Sequence, residues 1–296
     1  MNLDYGVTDP FAPASQVGFG GEARTVHARR HTDSAEAWLR LLVHRKLSPT
    51  RQNYITEGTW KQALRDHVAA RYLANLGQFS REIDATTFDQ LIDMVCHPNH
   101  WSAWSEALDE AYPNGPKEAR VFLERLQVIR NAVAHGRMAS ERDLERAVCY
   151  ANDLADSIKS YFGRLGLERE FNVPTVVRAY DNLGNDIHVV ADPNYSYRPI
   201  DFSSPPARSL SPGDTLIAEV EVDPTYAAGT YDVVWRVKTH DIGLQQGSKA
   251  ILAITERHIG ARLEIQFKVV SHLDWHKGSD ADDVIDLYYR VRPPPA

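Results

Sequence analysis

Cysteine is nearly absent: Cys96 and Cys149 are the only two in 296 residues, with no Cys-x-x-Cys spacing. That excludes a disulfide framework and points to a reducing, cytoplasmic compartment. Long apolar runs are missing too, and none approaches the roughly 18 residues of a membrane-spanning helix. The opening residues, MNLDYGVTDP, carry neither a basic segment nor an apolar one, so no signal peptide is expected. Positive charge is not in excess. A net charge of −7 gives the molecule no general attraction to nucleic acid, so any nucleic-acid surface must be local. The Gly-rich phosphate loop, the Gly-x-Ser-x-Gly elbow and the His-Glu-x-x-His zinc string do not occur. No cofactor and no metal are expected.

What is present describes a globular chain, 43% hydrophobic and 25% charged, long enough for two domains. Its character changes near residue 170. Helix-period patterns fill 34–165, whereas alternation, β-branched residues and turn dipeptides fill 173–292. The expected class is a two-domain α+β protein. Residues 1–33 read as an extended arm, 34–168 as a helical bundle, and 169–296 as an antiparallel β-sandwich. The spacing predicts helices over about 34–47, 58–77, 85–97, 99–111, 117–135 and 141–163. Trp60, Leu64, Val68, Tyr72 and Leu76 mark the second, with Gly77 as its stop. Ser140 is the expected N-cap of the last, with Asp143 favouring its first turn. Strands are predicted at 173–180, 187–191, 214–222, 231–239, 249–256, 261–270 and 283–292.

The most informative segment is Arg130-Asn131-Ala132-Val133-Ala134-His135, which ends a helical pattern at Gly136. At about 100° per residue, Phe122, Leu126, Ile129 and Val133 fall in one sector, the expected core side. Glu124, Gln127, Asn131 and His135 fall opposite, with Arg130 on the flank. A histidine before the capping glycine sits at the negative end of the helix dipole and is a candidate proton-transfer group. Arginine offers a two-point fork for phosphate, and Asn131, one turn before His135, can orient the ring or a substrate. Between 115 and 142 there are 6 Lys/Arg against 3 Asp/Glu, a local basic patch. The bland alternative is that His135 only caps a helix while Arg130 pairs with Glu124 or another carboxylate.

The run FLERLQVIRNAVAHGRMASERDLERAV resembles the hallmark helix pair of HEPN domains. It is similar in particular to the branch in transcript-surveillance endonucleases and bacterial defence proteins. The resemblance covers about residues 35–165. It implies a helical bundle that dimerises and cleaves RNA without metal, by attack of a ribose 2′-hydroxyl on the adjacent phosphate. Arg130 and His135 would be the catalytic pair and Asn131 the polar residue beside them. Arg125, Arg137 and Glu124 would lie along the substrate. The resemblance allows a second outcome, a catalytically inactive HEPN module for dimerisation or RNA binding. Some HEPN toxins carry a tyrosine two positions after the histidine. Arg137 stands there, which argues against that form of toxin control. The downstream Ig-like β domain would then sense a nucleotide or recruit a protein.

Other candidates are weaker. Trp235, Glu256 and His258 faintly resemble part of nucleotide-sensing domains; the alternatives are a core tryptophan and a solvated strand edge. His258, His272, His276 and Asp274 hint at a metal, and Asp280, Asp282, Asp283 and Asp286 at calcium, but neither set has the needed order. A polar loop and a solvated acidic turn are expected instead. Trp101 and Trp104 are expected in the core. Arg24, Arg29 and Arg30 are a possible RNA-touching arm.

Overall fold

The computed structural model describes residues 20–49, 53–75, 79, 81–190, 196–204, 209–240 and 242–294. The chain divides between Gly166 and Leu167 into two compact units, helical and then β.

The helical unit contains α1 (Gly21–Leu47), α2 (Gln62–Ala74), α3 (Phe88–Val95), α4 (Ser105–Leu108), α5 (Pro116–Ala134) and α6 (Glu141–Arg164). Short 3-10 turns lie at Glu82–Ala85 and Trp101–Ala103. Helix α1 packs on α5 and α6. Its Trp38, Leu39, Leu42 and Val43 are buried, as are Leu123 and Leu126 of α5 and Leu154, Ile158 and Phe162 of α6. The ends of α5 and α6 are written in their residues. Pro116 opens α5 after Gly115 at φ 84°. Ser140 and Asp143 form a reciprocal capping box at the start of α6.

The expected extended arm is a correction. Residues 1–19 lie outside the described residues, but 21–33 are the first half of α1. Ala28, His31, Thr32 and Ala35 are buried there at helical spacing. Small and polar side chains carry that buried face, so a search for large apolar residues finds nothing before Trp38. The helix expected over 99–111 breaks into the Trp101–Ala103 turn and α4, between Pro98 and Pro113. Trp104 is in the core, and Trp101 is only half-buried.

The β unit starts with a single helical turn, α7 (Glu168–Phe171). The strands are β1 (Val176–Asp181), β2 (Asp186–His188), β3 (Tyr197–Asp201), β4 (Thr215–Val222), β5 (Tyr231–Val237), β6 (Ile242–Gln246), β7 (Lys249–Ala253), β8 (Gly260–Ser271) and β9 (Asp283–Val291). They form a sheet ordered β2-β1-β4-β7 and a second ordered β3-β9-β8-β5-β6. Alternate residues of both sheets enter one core, with Val176, Ala218 and Leu252 from the first and Trp235, Phe267 and Leu287 from the second.

The sheets are not purely antiparallel, because β3 runs parallel to β9. Strands β3 and β6, absent from the sequence reading, are the two edges of the larger sheet. Edge strands need less apolar alternation, and Pro199 in β3 lacks an N–H that an edge can spare.

Candidate functional site

Helix α5 stops at a left-handed glycine. Gly136 has φ 75°, its N–H donates to Val133 O at 3.0 Å, and Arg137 N–H donates to Ala132 O at 3.0 Å. These two bonds make a Schellman ending and fix the backbone of His135 just inside it. The loop to α6 is short and tied to α1: Ala139 N–H donates to Thr25 Oγ1 at 2.9 Å, and Arg24 Nε to Ala139 O at 3.4 Å. Arg24 therefore belongs to a helix–loop junction and not to an arm, and Arg29 pairs with Asp33 at 3.4 Å along α1.

The side chains of Asn131 and His135 are exposed, and neither has a hydrogen-bond partner among the described residues. Arg130 is differently placed. Its Nε lies 3.6 Å from Glu36 Oε2 on α1, with 37% of the arginine side chain and 6% of the glutamate side chain accessible. Arg130 thus pairs with a buried glutamate from another helix. Glu124 is taken instead by Arg120 at 3.3 Å, which also holds Asp93 at 2.9 Å. Five residues of helix separate Arg130 and His135 by about 7.5 Å along the axis and about 140° around it. Arg130 turns toward α1 and His135 toward solvent, so one copy does not bring the two together on one face.

The solvent face of α5 is not wholly polar. Val121 is 47% exposed and Val128 68%. With Glu124, Asn131 and His135 they fall within about 80° of the helix circumference. The expected core residue Phe122 is half-buried, edge-on to Tyr150 at 4.9 Å, and Leu123 takes the fully buried position. Arg125 lies over the Phe122 ring at 5.6 Å and reaches Tyr150 OH at 3.4 Å. Arg137 is exposed. Of the six residues singled out from sequence, Glu124, Asn131 and His135 share a face; Arg125, Arg130 and Arg137 do not join it within one copy.

No family model, curated protein or solved structure matches this chain.

The β-unit candidates are structural. Trp235 is a core residue at 8% exposure. His258 is not on a solvated strand edge: it is buried in a 3-10 turn at Glu256–His258, where its Nδ1 accepts from Thr255 N–H at 2.9 Å. Its ring lies 4.5 Å from that of His240. Burial, then the neighbouring His240 and Arg257, hold the His258 imidazole below its ordinary value, which favours the neutral ring. His272 pairs with Asp232 and His276 with Asp282, so the histidines do not converge. Among the described residues no three potential metal ligands cluster.

The acidic stretch is the larger correction. Asp282 and Asp286 are fully buried, and Asp283 nearly so. Asp282 accepts Ser271 N–H at 2.7 Å and Lys277 N–H at 3.0 Å. Asp283 accepts Val176 N–H at 2.6 Å and pairs with Arg198. Asp286 accepts from Tyr197 OH, Gln266 Nε2 and Lys238 Nζ at 2.9, 2.9 and 3.0 Å. Only Asp280 keeps to the surface, paired with Lys268 at 2.5 Å. A run of aspartates reads as solvated unless each has donors waiting, and the donors come from distant strands.

Sequence reading also missed an aromatic cleft between the end of α1 and the Trp101–Ala103 turn, lined by Tyr54, Trp60, His100 and Trp104. It further missed Glu36, Arg40 and Arg71 around Arg130. The signal available was the pair Glu36 and Arg40, four apart on α1. No helix of the described residues is long and apolar enough to cross a membrane.

Proposed function

We propose that this chain is a metal-independent endoribonuclease of the HEPN type that works as a homodimer. What carries the reading is the Arg130-Asn131…His135 string on a Schellman-capped helix end, with a bare Asn131/His135 face flanked by exposed Val121 and Val128. β-Branched side chains on the outer face of a helix serve neither propensity nor solubility. A second copy packed there would bury them and bring two His135 rings toward one groove, with the partly accessible Arg130 of each copy at its flank.

The chemistry is then an in-line transfer. The 2′-oxygen bonds to phosphorus while the bond to the 5′-oxygen breaks, leaving a 2′,3′-cyclic phosphate and a free 5′-hydroxyl. His135 of one copy takes the 2′-hydroxyl proton, and the second His135 returns one to the departing 5′-oxygen. Arginine forks stabilise the charge that develops on the phosphoryl oxygens. A setting in stress response, anti-phage defence or toxicity, with the β unit sensing a nucleotide or protein, follows from the resemblance.

The test is RNA cleavage by purified protein in EDTA, with Arg130→Ala and His135→Ala beside the wild type. Cleavage that survives EDTA and disappears in both variants is expected. Cleavage that persists in His135→Ala sinks the mechanism.

The Arg130–Glu36 contact favours a second reading, in which the arginine is structural and the bundle is an inactive dimerisation or RNA-binding module whose β unit recruits a partner. That reading expects Arg130→Ala to weaken RNA binding in a protein that never cleaves.

A further inference from the structure

Beside Arg130 the helical unit gathers more positive charge than it neutralises. Glu36 of α1 is buried, and its two oxygens face two arginines: Oε1 receives Arg40 Nη2 at 2.5 Å and Oε2 faces Arg130 Nε at 3.6 Å. A third arginine, Arg71 of α2, is brought in by the 3-10 turn. Arg71 Nη1 donates to Ala85 O at 2.8 Å, and Arg40 Nη2 donates to the next carbonyl, Thr86 O, at 2.7 Å. Consecutive carbonyls set the two guanidinium groups side by side, and Phe79 supports Arg71 from one side at 5.4 Å.

Two guanidinium groups from two helices therefore meet one carboxylate, and a third, Arg71 from α2, stands beside them on the neighbouring carbonyl. Partly buried charges need counter-charges; Glu36 alone is the equal of one of the three, and the other carboxylate acting on Arg71, Asp89, is exposed. Burial pulls Arg71 below the ordinary guanidinium value, Arg40 and Arg130 push the same way, and only Glu36 and Asp89 oppose them. The hydrogen-bond inventory is equally incomplete. A guanidinium has five N–H donors, yet Arg40 Nε is buried with no partner among the described residues. The 3.6 Å contact of Arg130 is an ion pair without a hydrogen bond. The cluster is reachable, because 22% of the Arg40 side chain and 37% of the Arg130 side chain are accessible.

We propose that Arg40, Arg71 and Arg130 form a cradle for a phosphate group. Two charges and several fork-shaped N–H donors left over from Glu36 suit a tetrahedral oxyanion and suit neither a cation nor an apolar ligand. Resting on the ribonuclease reading, the phosphate is one of the RNA backbone, and Arg40 and Arg71 position the strand that Arg130 and His135 act on. Glu36 is the internal placeholder that holds the arginines apart when no phosphate is bound.

The experiment follows thermal unfolding of the full chain with inorganic phosphate against chloride at equal ionic strength, and the affinity for a labelled single-stranded RNA in EDTA at several salt concentrations. Wild type, Arg71→Gln and Glu36→Gln are compared. Phosphate is expected to raise the Tm of wild type above its chloride value. Arg71→Gln should lose at least half of that shift and lower the slope of log K against log salt by about 0.7, one contact to a single strand. Glu36→Gln removes the competing charge, so its phosphate shift should grow, an opposite sign that general destabilisation does not mimic. A Tm shift without a change in RNA affinity identifies free phosphate as the ligand; a change in RNA affinity identifies the backbone. The cradle is overturned if phosphate acts no better than chloride and RNA affinity is unchanged in Arg71→Gln, or if Glu36→Gln weakens the phosphate shift. Cleavage in EDTA is scored separately: a cradle without cleavage sinks the nuclease and keeps the site, and cleavage without the cradle does the reverse.

Discussion

The two units use charged residues in opposite ways. In the helical unit the notable polar groups stand with bonds to spare: Asn131 and His135 are bare, and Arg40 and Arg130 share one glutamate with Arg71 beside them. In the β unit the buried aspartates are well supplied with donors. Asp282, Asp283 and Asp286 lie inside, each held by donors from elsewhere in the fold. In sequence the aspartate run reads as a solvated acidic turn and Glu36 goes unmarked. What separates a working group from a structural one is the number of partners it already has, which residue type does not reveal.

The contrast breaks most sharply under mutation. His135→Ala should reduce RNA cleavage by about 10²–10⁴-fold, the usual range for a lost proton-transfer group. The exposed ring should leave Tm unchanged, and a large fall in Tm would move His135 to the structural side. Asp282→Ala should do the opposite. It strands the buried Ser271 N–H and the part-buried Lys277 N–H and should cost about 3 kcal/mol in urea unfolding. Loss of less than about 1 kcal/mol would mean that water satisfies those donors.

Acid should sharpen the comparison. Burial alone would raise the Asp286 carboxyl, but bonds from Lys238, Gln266 and Tyr197 outweigh it and hold the group below the usual carboxylate value. A depressed native pKa stabilises the fold above the unfolded value, about 4. That stability is lost as pH falls through the lower native pKa. The gap in urea midpoint between wild type and Asp286→Asn should therefore be widest near neutrality and close below about pH 4; a gap that widens in acid contradicts the assignment. The smallest effect belongs to Ser140→Ala, which removes the capping hydroxyl of α6 for about 1 kcal/mol. Cleavage, corrected for folded fraction, should be unchanged in that variant.

Much of the fold was legible where one physical signal dominates. Helices α5 and α6 declared their ends through Pro116, Gly136 and Ser140, and β4, β5, β8 and β9 through alternation into a shared core. Legibility failed where burial is done by small or polar residues, as with Ala28, His31 and Thr32 in α1, and at the edge strands β3 and β6. The site was legible along one helix only. The string from Arg130 to His135 is local, so its face could be drawn on a wheel. Its surroundings join residues more than 40 positions apart, as Arg40 to Thr86, and no pattern along the chain encodes that.

The junction after α5 has one more consequence. A left-handed glycine, a capping box and two bonds from α1 clamp the backbone around residues 131–140. The imidazole of His135 is bonded to none of them. Its Cα is anchored while its exposed ring has no side-chain partner among the described residues. A histidine held by a side-chain partner is committed to one nitrogen as donor. One held only through its backbone can present either nitrogen, so under the proposed mechanism the same residue can serve as proton acceptor in one copy and as proton donor in the other.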